Sequence, residues 1–133
     1  MTTYVQARDT LVSKIKVALD ADYPAMKVFW ENTTQVDVNT VGNSFLQIEI
    51  NFQDRVDTTL AVDTMVTGEV NFRLFYKEGQ GARAALAMFD YLTYLMRFQL
   101  VSGVTLLTPK PGKKERKDGW AFFDLNAPFF FRS

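Results

Sequence analysis

The 133-residue chain contains no cysteine and no histidine. The first absence excludes disulfides and thiol nucleophiles, and the two together remove the usual ligands of zinc. Without histidine, the side chain most often used for acid–base work at neutral pH is missing too. Net charge is lacking as well. Lys and Arg number 15, and so do Asp and Glu, so no global field draws the chain to nucleic acid or to an anionic membrane. No apolar run reaches the roughly 18 residues of a membrane span. The first residues lack the basic start and apolar block of a secretory signal, so a soluble protein kept inside the cell is expected. No repeat and no linker-like segment divides the chain, and residues 1–133 are expected to form a single domain.

What is present is apolar and aromatic. Hydrophobic residues make up 47% and aromatics 14%, enough for a core at this length. The chain is organised around residues 68–98. Val70, Phe72, Leu74 and Tyr76 alternate with Glu69, Asn71, Arg73 and Phe75, the two-residue period of a strand. Lys77-Glu78-Gly79-Gln80-Gly81 breaks it. Beyond the break, Ala85, Leu86, Phe89, Leu92, Thr93 and Met96 recur at three and four residues, which predicts a helix over about 81–98 that stops at Ser102-Gly103.

Upstream, Thr3-Tyr4-Val5-Gln6 fits a capping box. Val5, Leu11, Val12, Ile15, Ala18 and Leu19 form an apolar stripe on a helix over about 3–21, ended by Pro24. Residues 26–30 are β-prone. The Asn32-Thr33-Thr34 glycosylation pattern has no secretory context. Phe45 to Phe52 alternates cleanly, a strand with one wet face. Residues 53–57 are polar and predict a turn or bulge, and a strand returns over 65–76, giving an antiparallel hairpin. Short strand 104–107, a charged loop over 109–119 and a last strand over 120–131, at an edge or kinked at Pro128, complete the chain. The order α-β-β-β-α-β-β predicts class α+β, an antiparallel or mixed sheet with two helices packed on it.

The residues offer little chemistry. Gly79-Gln80-Gly81-Ala82-Arg83-Ala84 matches a dinucleotide-binding turn between strand and helix. The alternating strand before it and the antiparallel hairpin favour a plain tight turn. A small phosphate-ligand binding protein using the Gly79–Gly81 turn stays as the alternative of another class. Asp20, Asp22, Asp54, Asp57 and Asp63 fall in turns, where carboxylates are ordinarily solvated, and no catalytic set is recognised. No enzyme activity, cofactor or metal is expected. In 110–118, five bases against two acids leave +3, so the rest of this neutral chain carries −3. Such a run is a solvated loop tip or a docking surface for an acidic partner. Large apolar groups also occupy both faces of two strands: Phe75 opposite Phe72 and Leu74, and Trp120 and Phe122 opposite Phe123 and Leu125. Two helices cover one sheet face, and self-association would cover the other.

The layout resembles the tail terminator (minor tail, or tail completion) proteins of long-tailed bacteriophages. The likeness rests on the capped first helix, the strand ending Trp30-Glu31-Asn32, the long hairpin, and Gly68 opening V-N-F-R-L-F. It continues through the Gly79-x-Gly81 turn into the helix with Ala85, Leu86 and Leu92, and ends with Gly119-Trp120 ahead of Ala127-Pro128-Phe129. The resemblance implies a structural subunit, a homo-oligomer that forms a ring, commonly a hexamer, on the head-proximal end of the tail tube. There it would stop polymerisation of the tail tube protein and meet the head–tail connector protein, with assembly in the host cytoplasm and no sequence readout of nucleic acid. A head–tail connector component or tube subunit is the near alternative. The residues assigned to subunit and partner contacts are Asp54, Arg55, Asp57, Phe75, Arg83, Lys113, Lys114, Arg116 and Lys117.

Overall fold

The computed structural model describes residues 2–31, 44–57, 64–77, 83–117 and 119–133. Helix α1 (Tyr4–Asp22) opens on the expected capping box. The Gln6 amide donates to Thr3 Oγ1 at 3.1 Å and the Thr3 amide to Gln6 Oε1 at 2.9 Å, so two of the orphan amides of the first turn are satisfied. Its buried residues are Ala7, Leu11, Ile15 and Leu19, spaced every four. Val5, expected in that stripe, is exposed instead. The shift follows from spacing: 7, 11, 15 and 19 lie one above another on a helix, and 5 lies about 160° round from 7.

Strands β1 (Lys27–Trp30), β2 (Ser44–Asp57) and β3 (Thr64–Lys77) come next, then helix α2 (Arg83–Leu95). They are followed by β4 (Gln99–Val101), β5 (Val104–Leu106), β6 (Lys110–Lys117) and β7 (Trp120–Arg132). The class is α+β, with two helices and one mixed sheet in the expected order, extended by β4 and β6. Strands run β1-β2-β3-β7-β5-β4, with β6 beside the first half of β7. Among the described residues β1 and β2 pair in parallel and the other pairs are antiparallel. The polar residues 53–57 carry on β2, with a register irregularity between Phe52 and Arg55, the bulge that their composition suggested.

Three local readings change. Helix α2 ends at Leu95, and Ser102-Gly103 forms the two-residue turn between β4 and β5, both residues having positive φ. The charged segment read as a loop is strand β6, paired from Lys110↔Asn126 to Lys117↔Trp120. Pro128 lies in β7, flanked by β3 and by β5, rather than at an edge. Its carbonyl accepts from the Leu107 amide at 2.9 Å. A residue's N–H and C=O point to the same neighbouring strand, so the missing N–H of Pro128 falls where β5 gives way to β6 and no ladder bond is lost.

One sheet face holds the core. Leu46, Ile48 and Ile50 of β2, Val66, Val70, Phe72 and Leu74 of β3, and Phe123, Leu125, Phe129 and Phe131 of β7 pack with the buried residues of both helices. At about 1.5–3 kcal/mol for each fully buried large side chain, this is the main driving force for folding. Leu86, expected on the buried side of α2, is exposed, and Met88 takes that place.

Polar links fix the helices. Glu31 follows β1 where the β1–β2 ladder ends. Its Oε2 accepts from the Ile50 amide at 2.9 Å and its Oε1 from Arg8 Nε at 3.0 Å, so one carboxylate replaces a missing ladder bond and ties α1 to β2. Tyr91 of α2 reaches α1, its hydroxyl 2.7 Å from Asp22 Oδ2 and 3.1 Å from the Ala18 carbonyl oxygen. Burial first, and then the Asp22 carboxylate, push the phenol from 10.0 up to about 12. A folded-state value above the unfolded one means a contribution fully present below pH 10 and lost as pH rises through about 12. Tyr91→Phe is therefore expected to cost about 1 kcal/mol near neutrality. The difference in unfolding free energy between wild type and variant should shrink between pH 10 and 12, as measured by urea titration; a constant difference over that interval would refute the link.

Candidate functional site

The alternation that sends one set of side chains to the helices sends the other set to the opposite face, where neither helix packs. At one end of that face lies an aromatic cluster. Phe45 stacks on Phe75 with centroids 4.5 Å apart and planes 8° from parallel. Phe29 and Trp120 meet Phe45 edge-on at 5.8 and 5.2 Å, and Phe122 lies 5.4 Å from Phe75. Phe45 and Phe122 are buried yet stand apart from the helix-side core. Each such ring pair adds about 0.5–1.5 kcal/mol beyond area burial. Phe75, assigned to a subunit contact on sequence grounds, is a half-buried member of this cluster.

Toward the centre of the face the chemistry turns polar. Arg73 and Asp124 are cross-strand partners joined by two parallel hydrogen bonds, Nε to Oδ1 at 2.7 Å and Nη2 to Oδ2 at 2.9 Å. The same guanidinium lies 4.4 Å from the centroid of Phe122. The Asp124 hydrogen bond, opposed by partial burial and aided by the charges of Asp124, Glu115 and Glu49, raises the Arg73 pKa. Around this pair the register places Gln47, Glu49 and Asn51 of β2, Glu69 and Asn71 of β3, and Asn126 of β7. Asn71 Oδ1 is buried and accepts no hydrogen bond among the described residues.

Two edges complete the surface. At one, Leu100 is 73% exposed, and before it Phe98 in the α2–β4 connection and Tyr94 at the end of α2 are 68% and 67% exposed. Leu100 lies in β4, the terminal strand on that side. The guanidinium of Arg97 covers the Tyr94 ring at 4.0 Å. The other is β6, whose exposed Lys113, Lys114 and Arg116 line the free side of β7's first half. Lys114 Nζ stands 5.0 Å from the centroid of Phe123, which places it on the helix side of the sheet.

The residues assigned from sequence are thus dispersed. Asp54 and Arg55 are exposed in the far half of β2, and Asp57 pairs with Thr64 there. Lys113, Lys114, Arg116 and Lys117 lie along β6, near the other end of β3. Arg83 is exposed at the first residue of α2. Sequence reasoning missed the Arg73–Asp124 pair, which is 51 residues apart in the chain and has no local signature. The Gly79–Gly81 turn and Asp63 lie outside the described residues. The strand leading to that turn is antiparallel to both neighbours, unlike the parallel strand of a dinucleotide site. A groove of about 230 Å³ runs between α1 and β1, lined by Lys16, Leu19, Asp20, Met26, Val28 and Trp30. Among the described residues no helix is long and apolar enough to cross a membrane.

No family model matches the chain, and no curated protein is similar to it. A solved structure superposes with a TM-score of 0.73 at 17% identity, covering 94% of this chain and 92% of that one. That likeness establishes a shared fold over nearly the whole length. It assigns no activity.

Proposed function

We propose that this chain is a structural subunit of phage tail assembly. It caps the head-proximal end of the tail tube as a ring, stops tube growth and presents the surface that the head connector meets. The observation that carries this reading is the sheet itself, with one face sealed by two helices and the other bearing an aromatic cluster and a polar centre that no described helix covers, and with an exposed Leu100 on its terminal strand. Single exposed hydrophobics are ordinary, but Tyr94 at the end of α2, Phe98 in the connection that follows and Leu100 in the terminal strand β4 fall within seven positions. A terminal strand is where other chains add. The resemblance in layout to tail terminators supplies the biological setting, and the lack of histidine and cysteine suits a role in which no bond is made or broken.

The test is tail-tube assembly in the presence of the purified protein. Tubes should be shorter, with extra density at one end only by negative-stain electron microscopy. Tubes of unchanged length with bare ends would refute the reading. Growth of the protein into tubes of its own would assign it to the tube subunits instead.

A further inference from the structure

Strand β6 concentrates positive charge in a chain that is neutral as a whole. Of its eight residues, five are basic and one is acidic. Among the described strands it pairs with β7 alone, and residues 110–116 are all exposed. Lys114 and Arg116 register with Phe123 and Ala121 on the helix side, and Lys110 with Asn126 on the open side. The one acid, Glu115, registers with Phe122 on the open side, where Arg73 feels its charge. The ion pairs of the described residues are Arg8–Glu31 and Arg73–Asp124, so none engages Lys110, Lys113, Lys114 or Arg116. Neighbouring elements do not cancel the excess. On the helix side, α2 packs Phe89 against Phe123 at 6.1 Å; it carries exposed Arg83 as well as exposed Asp90, and its first turn holds no acid. On the open side Lys77 stands opposite Trp120, and Asp124 is already held by Arg73. Guarding an edge against strand addition accounts for a lysine or two. Pro111 and the register shift between Pro111 and Lys114 already interrupt this edge, so a row of cations is more than guarding needs.

We propose that β6 is a docking strip for the phosphate backbone of double-stranded nucleic acid, engaged through Lys113, Lys114 and Arg116. A strand of this length spans about 26 Å. Over that distance a duplex presents a negative charge roughly every 1.7 Å of its axis, so each cation meets a phosphate whatever the sequence. A folded acidic partner would have to place a carboxylate for each. Single strands fit less well, because they are held by stacking on accessible rings. Beside this strip Phe122 and Phe123 are buried and Trp120 is half-buried. Contacts of this kind position a duplex and carry no sequence information. The strip lies within one subunit, so the inference stands apart from the ring reading.

Fluorescence anisotropy of a labelled DNA duplex of mixed sequence tests this. With three phosphates neutralised, the log–log salt slope should be about −2.7, so affinity should fall roughly fortyfold between about 50 and 200 mM salt. Replacing Lys113, Lys114 and Arg116 together by Gln should flatten that slope by about one per residue and weaken binding at least about tenfold at the lower salt. Lys14→Gln with Lys16→Gln, on α1 and away from β6, should change binding by less than about twofold, as expected of cations that touch no phosphate. A melting curve by circular dichroism checks that the triple variant folds. Should it not, the wild type decides, by its salt slope and by its preference for duplex over poly-L-glutamate. No duplex binding at the lower salt, binding that the triple variant keeps, or equal loss in the α1 variant would overturn the proposal. Binding of poly-L-glutamate without duplex would overturn it too and assign the strip to an acidic protein. None of these results bears on the ring, which tail-tube capping reads separately.

Discussion

Gly68→Ala is expected to destabilise the fold by about 3 kcal/mol, the upper end of the usual cost of overpacking. Gly68 lies on the helix side of β3, opposite Phe52 of β2 and Phe129 of β7. A Cβ there would come within 2.6 Å of Phe129 Cζ, and it would also clash with the backbone carbonyl oxygen of Asn51. The ring has some room to yield by rotation. The carbonyl does not, because it belongs to the neighbouring strand of the ladder. Phe129 is itself fully buried and meets Phe52 edge-on at 5.9 Å, so displacing it disturbs the aromatic end of the core. For a domain of this size, about 3 kcal/mol corresponds to a fall of roughly 10 °C in Tm, readable by circular dichroism. Combining Gly68→Ala with Phe129→Leu should cost less than the sum of the two, since the second change removes part of the clash. Wild-type melting of Gly68→Ala would mean that the ring does not lie over this glycine.

The second large effect is on assembly. Phe98→Asp with Leu100→Asp is expected to weaken the proposed ring by at least about 2 kcal/mol, roughly thirtyfold, because a few buried anchors carry most of an interface's energy and a carboxylate in the place of one is left desolvated. Both side chains are about seven-tenths exposed in the isolated subunit, so the fold should lose no more than about 0.5 kcal/mol, as is usual for surface positions. Sedimentation equilibrium and a melting curve on the same sample separate the two quantities. Unchanged association would remove the apolar edge from the interface. A large fall in Tm would show instead that these side chains support the subunit itself.

Much of this architecture can be read in the chain, and the parts that cannot are instructive. The Thr3–Gln6 cap depends on four consecutive residues, and the alternation in β2 and β3 is a local period; both survive unchanged in the structure. Strand β6 escaped because strands are recognised by alternating apolar residues, and an edge strand wet on both faces has none. Lysines on an edge also guard against unwanted pairing, so the feature that hides the strand suits its position. One signal was there: Asp118-Gly119, a two-residue hairpin pattern, with Gly119 at φ 80° between β6 and β7. Pro128 misled for the opposite reason. Its strand is central, but the missing amide faces the break between β5 and β6, which only the sheet topology discloses. The polar centre of the open face was the least legible part. Glu49, Asn71, Asp124 and Glu115 come from four strands spread across most of the chain, and nothing local marks them as neighbours.

As proposed, this subunit would close into a ring on the end of a tail tube, using surfaces that its own helices leave uncovered. Native mass spectrometry of the purified protein, alone and after incubation with tail tubes, measures that most directly. The expected result is one closed oligomer of fixed copy number, with no higher multiples as concentration rises. A monomer under both conditions, or a ladder of ever larger species, would contradict it.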